Sequence, residues 1–167
     1  MRSRTSTWFE TKVKYQKMME DGMEKPVVEQ YVVDAFTFTD AESAITEEMM
    51  SYISGDMKIT SISPAAYGEI FFSDMDKDDK WYKAKLQFIT IDEKTEKEKR
   101  STVTYLVQAG SFASAVNHVD EAMKGSIVDY VISSINETKI MDVFEHHAPK
   151  KEEKNDVPEY EEQPKEK

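Results

Sequence analysis

The fold is decided by a stretch of eight residues that occurs twice, as WFETKVKY at residues 8–15 and as WYKAKLQF at residues 81–88. Both copies begin with tryptophan, and Lys12 of the first falls on Lys85 of the second at an offset of 73 residues. Side chains alternate between apolar and polar in each copy, which is the period of a half-buried β-strand. The repetition predicts that one structural unit is built twice.

The match between the two halves extends well beyond these strands. One extra residue in the second hairpin moves the offset to 74, so that Tyr31-Val32-Val33 falls on Tyr105-Leu106-Val107. The offset then returns to 73, and Ile70-Phe71 falls on Val143-Phe144. Loops tolerate such changes in length, whereas core positions do not. We therefore expect the matched residues to form the core.

Each copy has the same predicted order of elements. In the first copy, alternating strands at 8–16 and 28–37 precede an apolar stripe at helical spacing. Thr39 and Glu42 have the spacing of a capping box and predict the start of that helix. Extended pieces at 57–62 and 67–72 complete the copy. The predicted fold class is α+β: two tandem ββαβ repeats related by a pseudo-twofold, with an antiparallel sheet and the helices packed on one face.

The composition along the chain predicts four segments. The first repeat covers residues 1–72, an acidic linker covers 73–80, and the second repeat covers 81–147. Residues 148–167 consist mainly of Lys, Glu, Asp and Pro and have too few apolar side chains to offset the entropy cost of ordering. They are predicted to be a disordered charged tail.

Composition also excludes several classes of function. The chain has no cysteine, so disulfides, thiolate chemistry and cysteine-ligated zinc are excluded. No apolar run has transmembrane length and no signal peptide is recognisable, which predicts a cytoplasmic protein without a membrane partner. With five glycines, the sequence contains no glycine-rich phosphate loop, and it contains no nucleophile elbow or convergent metal ligands. We predict no enzyme activity, no cofactor and no metal site.

The polar sides of the two matched strands suggest a binding surface. Aromatic rings interleaved with lysines suit single-stranded nucleic acid, because bases stack on rings while ammonium groups follow the phosphates. In the alternative interpretation, the tryptophans pack against the other copy or against a second subunit, and the lysines are merely solvated. The candidate nucleic-acid-binding residues are Trp8, Lys12, Lys14, Trp81, Lys83 and Lys85.

A second candidate surface is acidic. The net charge is −11, and residues 31–56 contain acidic residues but no basic one. Such a surface fits a protein-interaction module or an inhibitor of a host factor. The candidate residues are Asp40, Glu47, Glu48, Asp74, Asp76 and Asp78. The sequence leaves the partner, the oligomeric state, including a homo-oligomer, and the exposure of the strand face open.

The two tryptophan-containing strands and the Tyr105-Leu106-Val107 motif also carry a family resemblance. Over about residues 7–146 the chain resembles a domain of unknown function from Bacteroidetes and their phages. The resemblance implies a small protein of phage or mobile-element context and supplies no activity. The predicted function is a non-enzymatic, phage-type binding protein that acts as a replication accessory on single-stranded nucleic acid, with the protein-interaction module as the alternative.

Overall fold

A computed structural model describes residues 1–146 of the chain. It has two α-helices and two β-sheets and is mostly strand, which confirms a mixed α and β class. The predicted disordered tail, 148–167, lies outside the described residues. The elements in chain order are β1 (Arg2–Arg4), β2 (Trp8–Met18), β3 (Glu24–Asp34), α1 (Phe38–Met50), β4 (Met57–Ala65), β5 (Glu69–Phe72), β6 (Lys80–Ile91), β7 (Glu98–Ala109), α2 (Phe112–Ala122), β8 (Asp129–Glu137) and β9 (Ile140–Phe144).

The strands form two sheets, which corrects the prediction of an antiparallel sheet. The four-stranded sheet has the order β4-β2-β3-β9, and the five-stranded sheet has the order β1-β5-β7-β6-β8. Most neighbours are antiparallel, but β9 runs parallel to β3 and β5 runs parallel to β7. The last strand of each half therefore pairs within the sheet that the other half builds.

The chain crosses between the sheets just before β5. The N–H of Gly68 donates to the carbonyl of Thr104 at 2.9 Å, which joins the crossing segment to β7. A Cβ at Gly68 would lie 2.8 Å from Cγ1 of Val103, so a side chain would not fit there without a shift. The close approach places Ile70 opposite Leu106 in parallel register.

Three apolar layers hold the molecule together. Helix α1 covers one face of the four-stranded sheet, where Ile45 packs in a cluster with Phe9 and Val13. Helix α2 covers one face of the five-stranded sheet, where Val119 packs in a cluster with Leu86. The third layer, here called the inter-sheet core, lies between the uncovered faces. It comprises Trp8, Val32, Tyr67, Ile70, Phe72, Trp81, Leu106, Ile140 and Val143.

The first helix begins earlier than its capping pattern predicts. Thr37, not Thr39, is the N-cap residue, and its hydroxyl oxygen accepts from the N–H of Asp40 at 3.1 Å. The second helix is capped in the same way, because the Ser111 hydroxyl oxygen accepts from the N–H of Ser114 at 3.2 Å. In both cases the side chain satisfies a donor that the helix leaves free.

The strand that flanks each long hairpin carries a bulge at a matching position. Lys12 pairs with Ser61 and Val13 with Ile59, so Thr60 of β4 is the extra residue, and Ser133 of β8 is the extra residue opposite Lys85 and Leu86. Such bulges increase the local twist of a strand. They lie where the buried part of each inner strand face gives way to the exposed lysines.

Candidate functional site

The tryptophans proposed to stack on bases are buried. Trp8 is 1% exposed and Trp81 is 2% exposed, and both belong to the inter-sheet core. At this end of the strands the structure therefore shows the alternative interpretation, in which the tryptophans pack against the other copy. The physical reason is that helices cover one face of each sheet, so the two remaining faces gain the most from covering each other.

A charged cluster closes the edge of this buried region. Nζ of Lys83 lies 3.0 Å from a carboxylate oxygen of Glu10, and the Tyr67 hydroxyl donates to the same carboxylate. Burial raises the pKa of Glu10, but the hydrogen bonds from Tyr67 and Lys83 outweigh it and leave the pKa below its usual value. Lys83 is thus bound to an internal carboxylate, which reduces its capacity to hold a phosphate.

The other candidate lysines remain on the surface. Lys12, Lys14 and Lys85 are exposed, and Lys14 lies directly opposite Lys58 across the pair β2 and β4. Like charges in such cross-strand positions repel each other. No ion pair to Lys12, Lys14 or Lys58 is formed within residues 1–146. The structure brings together a small lysine patch consisting of Lys12, Lys14 and Lys58.

The acidic candidates fall into two groups. On α1, the Glu47 side chain is 78% exposed, whereas Oε1 of Glu48 lies 2.7 Å from Nε2 of His146. Asp40 is half-buried in the first turn of the same helix, where a carboxylate is stabilised by the free N–H groups. The remaining candidates, Asp74, Asp76 and Asp78, lie in the linker between β5 and β6.

The linker residues surround an acidic cavity of about 370 Å³. Trp81 and Gln108 form part of its wall, so it opens at the rim of the inter-sheet core. We call it the acidic cavity. Its carboxylates are Asp74, Asp76, Asp78, Asp79 and Asp142.

One of these carboxylates is buried. The Asp78 side chain is 1% exposed, and its Oδ2 accepts from the Ser73 hydroxyl. Nε2 of His118 lies 3.8 Å from Oδ2, while Oδ1 has no hydrogen-bond partner among the described residues. Gly110 permits the linker to pack this closely, since a Cβ there would lie 2.6 Å from the carbonyl oxygen of Lys77. Asp78 is thus buried rather than a surface residue, and it contributes to the wall of the cavity.

The arginines of β1 were not among the residues predicted from the sequence. Nη2 of Arg4 lies 2.6 Å from Oδ2 of Asp34, and Nη1 lies 3.1 Å from Glu145. The Arg4 guanidinium also lies over the ring of Trp8, at 5.4 Å from its centroid. Arg2 forms an ion pair with Glu145. The alternation Arg-Ser-Arg just before the first long strand is the signal that could have identified a short strand with two basic side chains on one face.

Two further features are absent from the described part of the chain. Among residues 1–146 no group of three or more His, Asp or Glu is arranged to hold a metal ion. No helix in that range is long and apolar enough to cross a membrane.

Comparison with known proteins gives a family but no activity. Residues 7–146 match the model of a family described as a domain of unknown function, DUF4494. Neither the comparison with curated proteins nor that with solved structures gave a match. The matched range covers all the long strands and both helices. The chain therefore belongs to the DUF4494 family.

Proposed function

We propose that this chain is a non-enzymatic binding protein that recognises a basic region of another protein through its acidic cavity. The observation that carries the proposal is the acidic cavity, which gathers five carboxylates, among them that of the buried Asp78, whose Oδ1 accepts no hydrogen bond within residues 1–146. A cationic side chain in the cavity would offset the repulsion among these carboxylates.

The burial of Trp8 and Trp81 favours protein recognition over the binding of single-stranded nucleic acid. A sequence-tolerant single-strand binder needs accessible rings, and stacking on them contributes about 1–3 kcal/mol for each base. Both rings are enclosed between the sheets, so stacking would require the inter-sheet core to open. The acidic cavity requires no such rearrangement.

Zero-length crosslinking tests the proposal directly. A carbodiimide couples carboxylates to lysines in contact with them, so partner lysines should become attached to Asp74, Asp76 or Asp79 when the tagged chain is treated in its native cells. An Asp74→Asn/Asp76→Asn variant should lose the crosslinked partner. A Glu42→Gln/Glu93→Gln variant changes the net charge equally at exposed positions elsewhere and should retain it. Equal capture by both variants would refute the proposal.

Nucleic-acid binding remains a second candidate because of the lysine patch. Lys14 and Lys58 face each other across β2 and β4, and a phosphate between them would relieve their repulsion. Salt-sensitive binding of single-stranded DNA or RNA that is lost in a Lys12→Ala/Lys14→Ala/Lys58→Ala variant would support it. Retention of binding in that variant would exclude the patch.

We also propose that the two halves are copies of one ancestral unit, related by a pseudo-twofold axis. Support comes from the inter-sheet core, which contains four matched pairs: Trp8 with Trp81, Val32 with Leu106, Tyr67 with Ile140, and Ile70 with Val143. The bulges and the parallel terminal strands match as well. A cytoplasmic protein of phage or mobile-element context is the setting that we propose for it.

A further inference from the structure

The two matched strands β5 and β9 differ in what lies beside their outer edges. The outer edge of β5 is paired with β1, which is antiparallel to it and places Arg4 opposite Ile70. The outer edge of β9 has no strand beside it among the described residues. The N–H of Val143 in β9 donates instead to Oδ1 of the neighbouring Asp142 at 2.8 Å. The Val143 N–H is thus satisfied by the Asp142 side chain, which a carbonyl oxygen of an added strand could replace.

The acidic cavity occupies the position that matches the site of Arg4. Arg4 lies over the ring of Trp8 and forms an ion pair with Asp34. The residues that match Trp8 and Asp34 in the other half are Trp81 and Gln108, and both line the acidic cavity. The cavity also reaches Asp142 on β9. A strand added to β9 as β1 is added to β5 would direct alternate side chains into this cavity.

We propose that the outer edge of β9 binds an extended basic segment of another protein, as an added antiparallel strand whose Arg or Lys side chains enter the acidic cavity. This inference rests on the proposed function and specifies the partner and its binding mode. Main-chain hydrogen bonds to the edge would provide affinity, and the cavity would select for alternate basic residues. The chain's own β1, with the sequence Arg-Ser-Arg, is an example of such a segment on the matched edge.

Charge distinguishes this occupant from a second copy of the chain. Antiparallel pairing of two β9 strands would bring the acidic cavities of both copies, each with five carboxylates, to one interface. Juxtaposed like charges oppose such pairing.

Burial also raises the pKa of Asp142 above its usual value, although the N–H of Val143 acts against this shift. A cationic side chain beside Asp142 would stabilise its charged form.

A peptide with the sequence of residues 1–6, MRSRTS, tests the proposal when acetylated, labelled and titrated against the full chain by fluorescence anisotropy. We expect saturable binding, with slower amide hydrogen exchange in β9 (Ile140–Phe144). A version with both arginines replaced by glutamine should bind at least about tenfold more weakly, which corresponds to about 1.4 kcal/mol. Exchange protection confined to β5 (Glu69–Phe72) would mean that the probe displaces β1, and it would overturn the proposal.

Backbone methylation of the probe separates strand addition from charge attraction. In an added strand only alternate N–H groups point toward the edge. Of two peptides methylated on alternate backbone nitrogens, one should therefore lose binding while the other retains it. Equal binding of both would show contact through side chains alone and would overturn strand addition. The proposed function would still stand if crosslinks to the linker carboxylates persisted.

Protein variants provide the matched control. Asp76→Asn/Asp142→Asn should weaken binding of the probe at least about tenfold, because the amides keep the shape of the carboxylates but remove their charge. Asp56→Asn/Glu93→Gln, at exposed positions elsewhere, should leave the affinity within about twofold. Equal weakening by both pairs would mean general charge attraction and would contradict the proposal. A competition experiment tests the chain's own tail as the occupant. If a peptide of residues 147–167 displaces the probe at a lower concentration than unlabelled MRSRTS does, the tail is the occupant and the proposal is contradicted.

Discussion

The inner faces of β2 and β6 differ sharply between their two ends. At the start of each strand the inner face is closed, with Trp8 and Trp81 buried between the sheets. Further along the strands it is open, with Lys14 and Lys85 exposed. Both ends continue the same alternation of residues, so alternation identifies the face to which a side chain belongs. It does not indicate what covers that face.

The largest effect should come from the closed end. Trp8→Ala removes a ring that is 1% exposed in the inter-sheet core. Large-to-small changes of this kind cost about 3–5 kcal/mol through lost burial and the remaining cavity. Lys14→Ala at the open end should change stability by less than about 0.5 kcal/mol. Urea unfolding measures both, and similar losses for the two variants would break the comparison.

The rim of the closed end should depend on a buried ion pair. Asp34 is fully buried and its Oδ2 lies 2.6 Å from Nη2 of Arg4. Asp34→Asn removes the buried counter-charge and leaves Arg4 paired with Glu145 alone, so we expect a loss of less than about 3–5 kcal/mol, which is what removal of the single partner costs in a buried pair. Thermal unfolding should show a clearly lower midpoint for this variant. The exposed change Glu93→Gln should leave the midpoint near that of the unmodified chain.

The boundary between the two ends can be tested with a double-mutant cycle. Glu10 and Lys83 occupy matching positions in the two copies, yet they carry opposite charges and lie 3.0 Å apart. Because both side chains are partly exposed, we expect a coupling energy of up to about 1 kcal/mol between Glu10→Gln and Lys83→Met. A coupling energy of zero would mean that the closed region ends before this pair.

The smallest effect should be a dependence of stability on pH. Burial raises the pKa of Glu145, but its hydrogen bonds and ion pairs with Arg2 and Arg4 outweigh this and lower the pKa below 4.5. A group whose pKa is lower in the folded state stabilises the protein above its unfolded pKa, and this stabilisation is lost as the pH falls through the folded value. Glu145→Gln should therefore lose less stability than the unmodified chain when the pH is lowered from 5 to 3. Parallel stability curves for the two proteins would contradict this assignment.

Much of the local structure could be predicted from sequence because it depends on neighbouring residues. The alternation over 8–16 and 81–89 predicts β2 and β6, and the helical stripe predicts α1. Strand exchange could not be predicted, because β5 and β9 are short apolar segments without a pattern that selects a sheet. Their placement depends on contacts between distant residues, such as Ile70 with Leu106.

The candidate site was predicted less completely. Asp74 and Asp76 were identified by composition and do line a cavity. The position of Trp8 and Trp81 was left open because a ring on a polar strand face can lie in solvent or at an interface between layers. Asp142 was missed because it becomes part of the acidic cavity only through the pairing of β9 with the sheet of the other half.

The most direct test of this account is the accessibility of the two tryptophans, the only ones in the chain. Acrylamide quenching of the intrinsic fluorescence should be weak in the native protein and strong after unfolding, and single-stranded DNA at low salt should leave the emission unchanged. This result would place Trp8 and Trp81 in the core and direct the search for a ligand to the acidic edge of β9. Strong quenching of the native protein, or saturable quenching by DNA, would contradict the closed inter-sheet core on which the account depends.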